Sequence, residues 1–113
     1  MPLYINHPIT GDQIQVAEID FPIYMTWNEA MSACEGLGAG WRLPSIYELE
    51  AMYVHLHMEG KGDFKDRFPT FDYWSSSEDD PAYAWYFDFE KRKADISLKG
   101  SKKSVRAVRA FNH

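Results

Sequence analysis

The sequence is poor in cysteine, in long apolar runs and in clustered basic charge. Its one cysteine, Cys34, excludes an internal disulfide framework and any zinc site built on several thiolates. No apolar run approaches the roughly 20 residues that cross a bilayer as a helix. Net charge is -5, from 17 acidic and 12 basic side chains, so a nucleic-acid or anionic-membrane surface would have to be assembled against the overall field, and neither partner is expected. Residues 1–8 carry no basic start followed by an apolar block. The default expectation is therefore the cytoplasm, although an exported protein that has lost its leader reads the same. No internal repeat or low-complexity segment is present.

What the chain does have is aromatic surface, 16% of its residues, including seven Tyr, seven Phe and four Trp. Aromatic side chains suit packed sheets and broad flat contact faces. A length of 113 residues fits one domain with a single core. Leu3 and Ile5, then Ile14 and Val16, alternate with polar neighbours around a breaker cluster at Pro8, Thr10, Gly11 and Asp12, which predicts a hairpin within residues 3–20. Thr26 with Glu29 spells a capping box, and Trp27, Ala30, Met31, Cys34 and Leu37 make one helical stripe ended by Gly36, Gly38 and Gly40. On that stripe Cys34 reads as a packing residue rather than a reactive thiol.

The joint of the chain is Trp41 to Met52. Pro44 fixes its direction, and Ser45 with Glu48 spells a second capping box. A helix is expected from Ser45 to about Glu59, stopped by Gly60 and Gly62, with Ile46, Leu49, Met52, Tyr53 and Leu56 inward. Glu48, Glu50, His55 and Glu59 are expected to face water or a partner. His55 and His57 lie about 200° apart on such a helix, so they cannot chelate one ion and read as surface histidines. Residues 61–71 form a loop with three phenylalanines, either pinned to the core or part of a binding surface.

The last third reads as sheet. Tyr73 to Ser77 is a short strand, and Glu78, Asp79, Asp80 and Pro81 make an acidic loop. Ala82 to Glu90 alternates with period two. Lys91, Arg92 and Lys93 form a basic turn, Ala94 to Leu98 returns with Ile96 and Leu98 on one face, and Lys99 to Lys103 is a second basic turn. Ser104 to Phe111 closes the chain as a central strand. Trp74 and Trp85 are expected to fill the core, and Arg42, Arg106 and Arg109 to pair with carboxylates. Spaced by three, Arg106 and Arg109 face opposite sides of an extended strand and form no single clamp. The fold class is α+β, two helices packed on a mainly antiparallel multistranded sheet.

The order of these motifs carries a resemblance. Thr26 to Ala30 and Cys34, then Leu37, Gly38, Gly40 to Ser45 with Glu48 and Leu49, then Tyr73 to Ser77, Ala84, Trp85, Phe87 to Phe89 and Val105 to Arg109 resemble the C-terminal domain family of the Legionella collagen-like adhesin, a domain of unknown function. The Fibrobacter succinogenes major paralogous domain is similar. The resemblance covers residues 24–110 and implies a C-type-lectin-like fold, of the subgroup shared with the formylglycine-generating enzyme and with retroelement-diversified receptor-binding proteins.

In that fold, binding falls on the loops between the second helix and the last strands. The candidate ligand residues are then Phe64, Lys65, Asp66, Arg67, Glu78, Asp79, Asp80, Tyr83, Lys99, Lys102 and Lys103. The expected function is a noncatalytic recognition module for a glycan or protein ligand, with no cofactor and no metal. The family's adhesin member binds sulfated glycans, which demands a positive face. Only the turns at 91–93 and 99–103 could supply one, and solvated hairpin tips are their simpler reading. No calcium-lectin string occurs, and three consecutive carboxylates rarely converge on one ion. The alternatives are a structural or assembly subunit and, last, an enzyme related to the formylglycine-generating group. The enzyme lacks support because that chemistry uses paired cysteines, and no His stands in a recognisable triad. Asp88 and Glu90, which could form an acid pair, read as the wet side of a strand.

Overall fold

The first and last strands of the chain lie in one sheet. A computed structural model describes residues 2–64 and 71–111. β1 (Leu3–Asn6) and β2 (Gln13–Val16) form the antiparallel hairpin, with Ile5 opposite Ile14. β6 (Val108–Ala110) adds antiparallel to β2. A second antiparallel sheet has the order β3-β4-β5, from Asp72–Glu78, Tyr83–Asp88 and Lys93–Leu98. Two three-stranded sheets therefore replace the single multistranded sheet expected from the sequence.

Both helices begin at their capping boxes. Thr26 and Ser45 each accept from the backbone of the glutamate three residues on, and each glutamate returns the bond to the cap. α1 spans Trp27–Glu35 and α2 spans Ile46–His55. α1 ends sooner than its stripe implied, so Leu37 leaves the helical wheel and lies exposed. α2 gives way to a 3-10 turn, His57–Glu59, closed by Gly60 in the left-handed region. Gly62 has a positive φ as well, and a Cβ there would come within 2.5 Å of the Phe64 ring. That close approach lets Phe64 turn back into the core.

The inner part of the second sheet, β3 with the middle of β4, is covered on both faces, while β5 lies mostly exposed. Tyr73 and Phe87 pair across β3 and β4 and join Leu49, Met52, Phe64, Phe71 and Phe89 under α2. Trp74, one residue on, points the other way and packs with Ala30, Cys34, Leu43, Ala84, Val105 and Ala107 beneath α1. Period-two alternation thus buries both faces of one strand in two separate clusters. His57, expected at the surface, is half-buried among Tyr53, Phe64, Phe71 and Phe89, with ring centroids 5.2–6.1 Å away.

The segment 104–111 does not form one central strand. Residues Ser104 to Val108 are buried, but only Val108–Ala110 is strand. Upstream, the chain is stitched irregularly between two neighbours. Ser104 N donates to Asp72 O, Trp74 N to Ser104 O, Phe21 N to Val105 O, and Ala17 N to Ala107 O. On the second side the partners Ala17, Phe21 and Met25 advance by four residues while Ala107, Val105 and Lys103 step by two, so no ladder register is kept.

Candidate functional site

Two ion pairs fix the frame around the site. Arg42 makes two parallel bonds to Glu48, Nη1 to Oε1 at 2.7 Å and Nη2 to Oε2 at 2.8 Å. Glu48, expected to face water, is buried because it must serve both this guanidinium and the Ser45 amide. Burial alone would push its carboxyl up; the Arg42 and Ser45 hydrogen bonds outweigh that and hold it below its ordinary value. Arg106 and Asp20 form the second pair at 2.6 Å, both fully buried, with Tyr73 Oη donating to the other Asp20 oxygen at 2.6 Å. Among the described residues Arg109 takes no carboxylate: it donates to Gln15 Oε1 at 2.8 Å and lies 4.6 Å from the Trp41 ring.

From this frame a groove opens between the first turn of α2 and the face of the second sheet. Ile46, Tyr47, Glu50, Ser77, Glu78, Trp85 and Ala94 line it, around a volume of about 370 Å³. The register of β3 against β4 shifts between Trp74 and Glu78, so the three serines form a bulge whose last residue, Ser77, lines the groove. Ser76 N donates to Pro44 O at 2.7 Å, and Ser77 Oγ accepts from Ile46 N at 3.1 Å. The bulge thereby bonds β3 to the start of α2. Ser75 Oγ donates to Trp85 O at 2.6 Å, fixing the backbone that carries the Trp85 ring. Trp85, expected in the core, is only half-buried because its end of β4 extends past the cover of α2. Tyr47 stands beside it with 56% of its surface exposed.

The residues named from sequence divide around this groove. Glu78 lines it, and Tyr83 shares the Trp85 face of β4 and is exposed. Asp79 is exposed; Asp80 Oδ1 turns back to accept from the Ala82 and Tyr83 amides at 2.8 and 2.9 Å, so the acidic loop is a self-capped turn. Phe64 belongs to the core, with the Arg106 guanidinium 4.3 Å from its ring. Lys65, Asp66 and Arg67 lie outside the described residues. Lys102 is exposed.

The turn at 99–103 is not a solvated basic tip. Lys99 and Lys103 keep 14% and 9% of their side-chain surface. Lys99 pairs with Glu78 and sits 4.3 Å over the Trp27 ring. Lys103 pairs with Asp72 at 3.4 Å and lies 4.0 Å over Tyr86. Asp88 caps its own turn, Oδ1 accepting from the Glu90 and Lys91 amides at 2.9 and 3.0 Å. Tyr47, Glu50 and Trp85 were not among the sequence candidates. The available signal was the period-two alternation that puts Trp85 beside Tyr83, on one face with Ile96 and Leu98 across the ladder.

Two smaller recesses lack this combination. One of about 280 Å³ is lined by Tyr4, Ile5, Asn6, Gln13 and His55. The other, of about 180 Å³, is a mainly apolar dent at Ala17, Ile19, Asp20, Phe21, Pro22 and Leu37. Among the described residues no group of three or more His, Cys, Asp or Glu is placed to hold a metal ion, and no helix is long and apolar enough to cross a membrane. Cys34 is buried; desolvation, helped by Glu35, pushes its thiol up to about 12.

No curated protein sequence matches the chain. The profile of the Lcl C-terminal domain does, and it extends over residues 12–109, from the second strand of the hairpin to the last strand. By that match the chain is a member of the Lcl C-terminal domain family, the C-terminal domain of Legionella collagen-like proteins.

Proposed function

We propose that this chain is a noncatalytic recognition module with a C-type-lectin-like fold, and that it takes a glycan or protein ligand in the groove between α2 and the β3–β5 face. The groove carries the reading. It has the size of a ligand cleft, two partly open aromatic faces at Tyr47 and Trp85, and polar groups from Ser77, Glu50 and Glu78 at its edge. Aromatic faces supply broad apolar contact and the polar groups orientation. The fold assignment is supported by the first and last strands flanking β2 in one sheet and by two helices packed on a second antiparallel sheet. Calcium has no role in this reading, since the acidic turn spends Asp80 on its own backbone.

A second reading is an assembly subunit. Exposed Ile96 and Leu98 on β5, and Ile19 and Ile23 beside the apolar dent, favour it. Binding to a mixed glycan and peptide array, with calcium and with chelator, separates the two on protein of measured oligomeric mass. Specific hits that survive chelation support the recognition module. A blank array from a stable oligomer would overturn it in favour of assembly.

A further inference from the structure

Charge decides which ligand suits the groove, and the local inventory is one-sided. Glu50 lines the groove, is exposed, and its carboxylate makes no hydrogen bond or ion pair among the described residues. Asp79, next to Glu78, presents a second exposed carboxylate. The basic side chains nearby have partners of their own, and Lys93, next to Ala94, pairs with Asp95 at 4.0 Å. Lys99 is held by Glu78 and Trp27. Arg92, two residues before Ala94, lies over Tyr53 at 5.6 Å. The start of α2 is no anion site either: Ser77 Oγ takes the Ile46 amide and Ser45 Oγ the Glu48 amide. Among the described residues that line the groove there are two carboxylates and no cation, so an anionic ligand would meet like charge there.

The shape of the surface narrows the class further. Lys99 N donates to Ala82 O, which fixes the ladder so that residues 94, 96 and 98 turn their backbone groups outward along the open edge of β5. Trp85 lies opposite Ile96, and Tyr83 opposite Leu98, all on the groove face. An apolar strip therefore leaves the groove and follows the edge of β5, which pairs with no further strand among the described residues and where Asp95 Oδ1 takes the Ile96 amide, so that contact there falls to side chains. Such a surface suits an extended chain rather than an isolated amine.

From these observations we infer that the groove receives a lysine or arginine side chain from an extended segment of a partner protein. The cation stacks on the aromatic wall of Trp85 and Tyr47 and faces the Glu50 carboxylate, while the neighbouring apolar residues of the segment lie along Ile96 and Leu98. This rests on the groove being the ligand site, and it deepens that reading by naming the partner's chemistry.

The test is a titration of the whole chain, followed at the Trp85 indole N–H resonance. The probes are an extended peptide of alternating lysine and valine, its glutamine and glutamate counterparts, a neutral oligosaccharide and a sulfated one. The lysine peptide should shift Trp85, with affinity reduced on the order of fivefold in the glutamine peptide and in Glu50→Gln, and further by salt. Equal binding of the lysine and glutamine peptides, or no effect of Glu50→Gln in a variant that melts like wild type, would overturn the inference. So would a shift of Trp85 by the glutamate peptide or the sulfated oligosaccharide. If the neutral oligosaccharide shifts Trp85 and the lysine peptide does not, the inference fails while the groove reading stands. If no probe moves Trp85, both fail.

Discussion

Removing Arg42 should destabilise the protein more than neutralising Glu48, although Arg42 is the more exposed partner. The side chains retain 42% and 1% of their surface, respectively. In Glu48→Gln the amide still caps Ser45, and the guanidinium left behind can turn to water, so the loss is about 1–2 kcal/mol. In Arg42→Met the carboxylate stays buried without its counter-charge, at a cost of about 3–5 kcal/mol at neutral pH. For a chain of this size, each kcal/mol lowers Tm by about 4 °C.

The pH dependence of the two proteins should then diverge. In the wild type Glu48 titrates below its ordinary value of 4.5. Its contribution is therefore present above 4.5 and is lost only as pH falls through the lowered folded value. Between pH 7 and 5 it is flat. In Arg42→Met the desolvated carboxyl moves above 4.5, so the folded state binds the proton more tightly, and stability is regained as pH falls from 7 towards 5. Thermal melts at pH 7, 6 and 5, read against wild type and Glu48→Gln, give the comparison. Equal losses in the two variants, or parallel pH slopes for Arg42→Met and wild type, would refute the assignment of Glu48 as a buried, charge-compensated carboxylate.

Three other expectations follow from the same geometry. Arg106→Met removes the counter-charge of the buried Asp20 carboxylate, which keeps the Tyr73 hydroxyl, and should cost about 3–5 kcal/mol in urea unfolding; a loss below about 1 kcal/mol would mean the pair is solvated. At pH 8, Cys34 should be thiolate to only about one part in ten thousand, so alkylation with iodoacetamide should track unfolding; rapid labelling of the folded protein would contradict its burial. Asp95 Oδ1 accepts from the Ile96 amide at 2.8 Å on the outer edge of β5, which blocks that donor from another strand. Asp95→Ala should therefore give concentration-dependent self-association on size exclusion, and an unchanged elution volume at millimolar protein would show that the edge is guarded otherwise.

How much of this was legible depended on how far apart the interacting residues lie. The capping boxes at Thr26 and Ser45 are complete within three residues, and both helices begin where they predict. The hairpin and the alternation of β4 are equally local. Glu48 was misread because its helical position says nothing of Arg42, which reaches it from the preceding extended chain. Asp20 went unnoticed because its partner is Arg106, 86 residues away. The buried stretch 104–107 has the composition of a strand, yet the looping segment 17–25 meets it only at every fourth residue, a spacing that no local pattern reveals. The groove suffered most: Tyr47 and Trp85 read as a helix residue and a core residue, and only the placement of α2 across β4 leaves them open. Lys99 and Lys103 show the converse, since a run of lysines reads as a wet turn until Trp27 and Tyr86 are found beneath it.

The most direct test of the central claim is to map where a ligand from the array binds, by amide and indole shifts in the wild type and in Tyr47→Ala/Trp85→Ala with a matched melting profile. The groove reading predicts shifts gathered at residues 46–50, 77–78, 85 and 94, and at least tenfold weaker binding in the double variant, about 1.4 kcal/mol. Shifts gathered instead at the hairpin recess around Tyr4 and His55, with full affinity in the double variant, would contradict it.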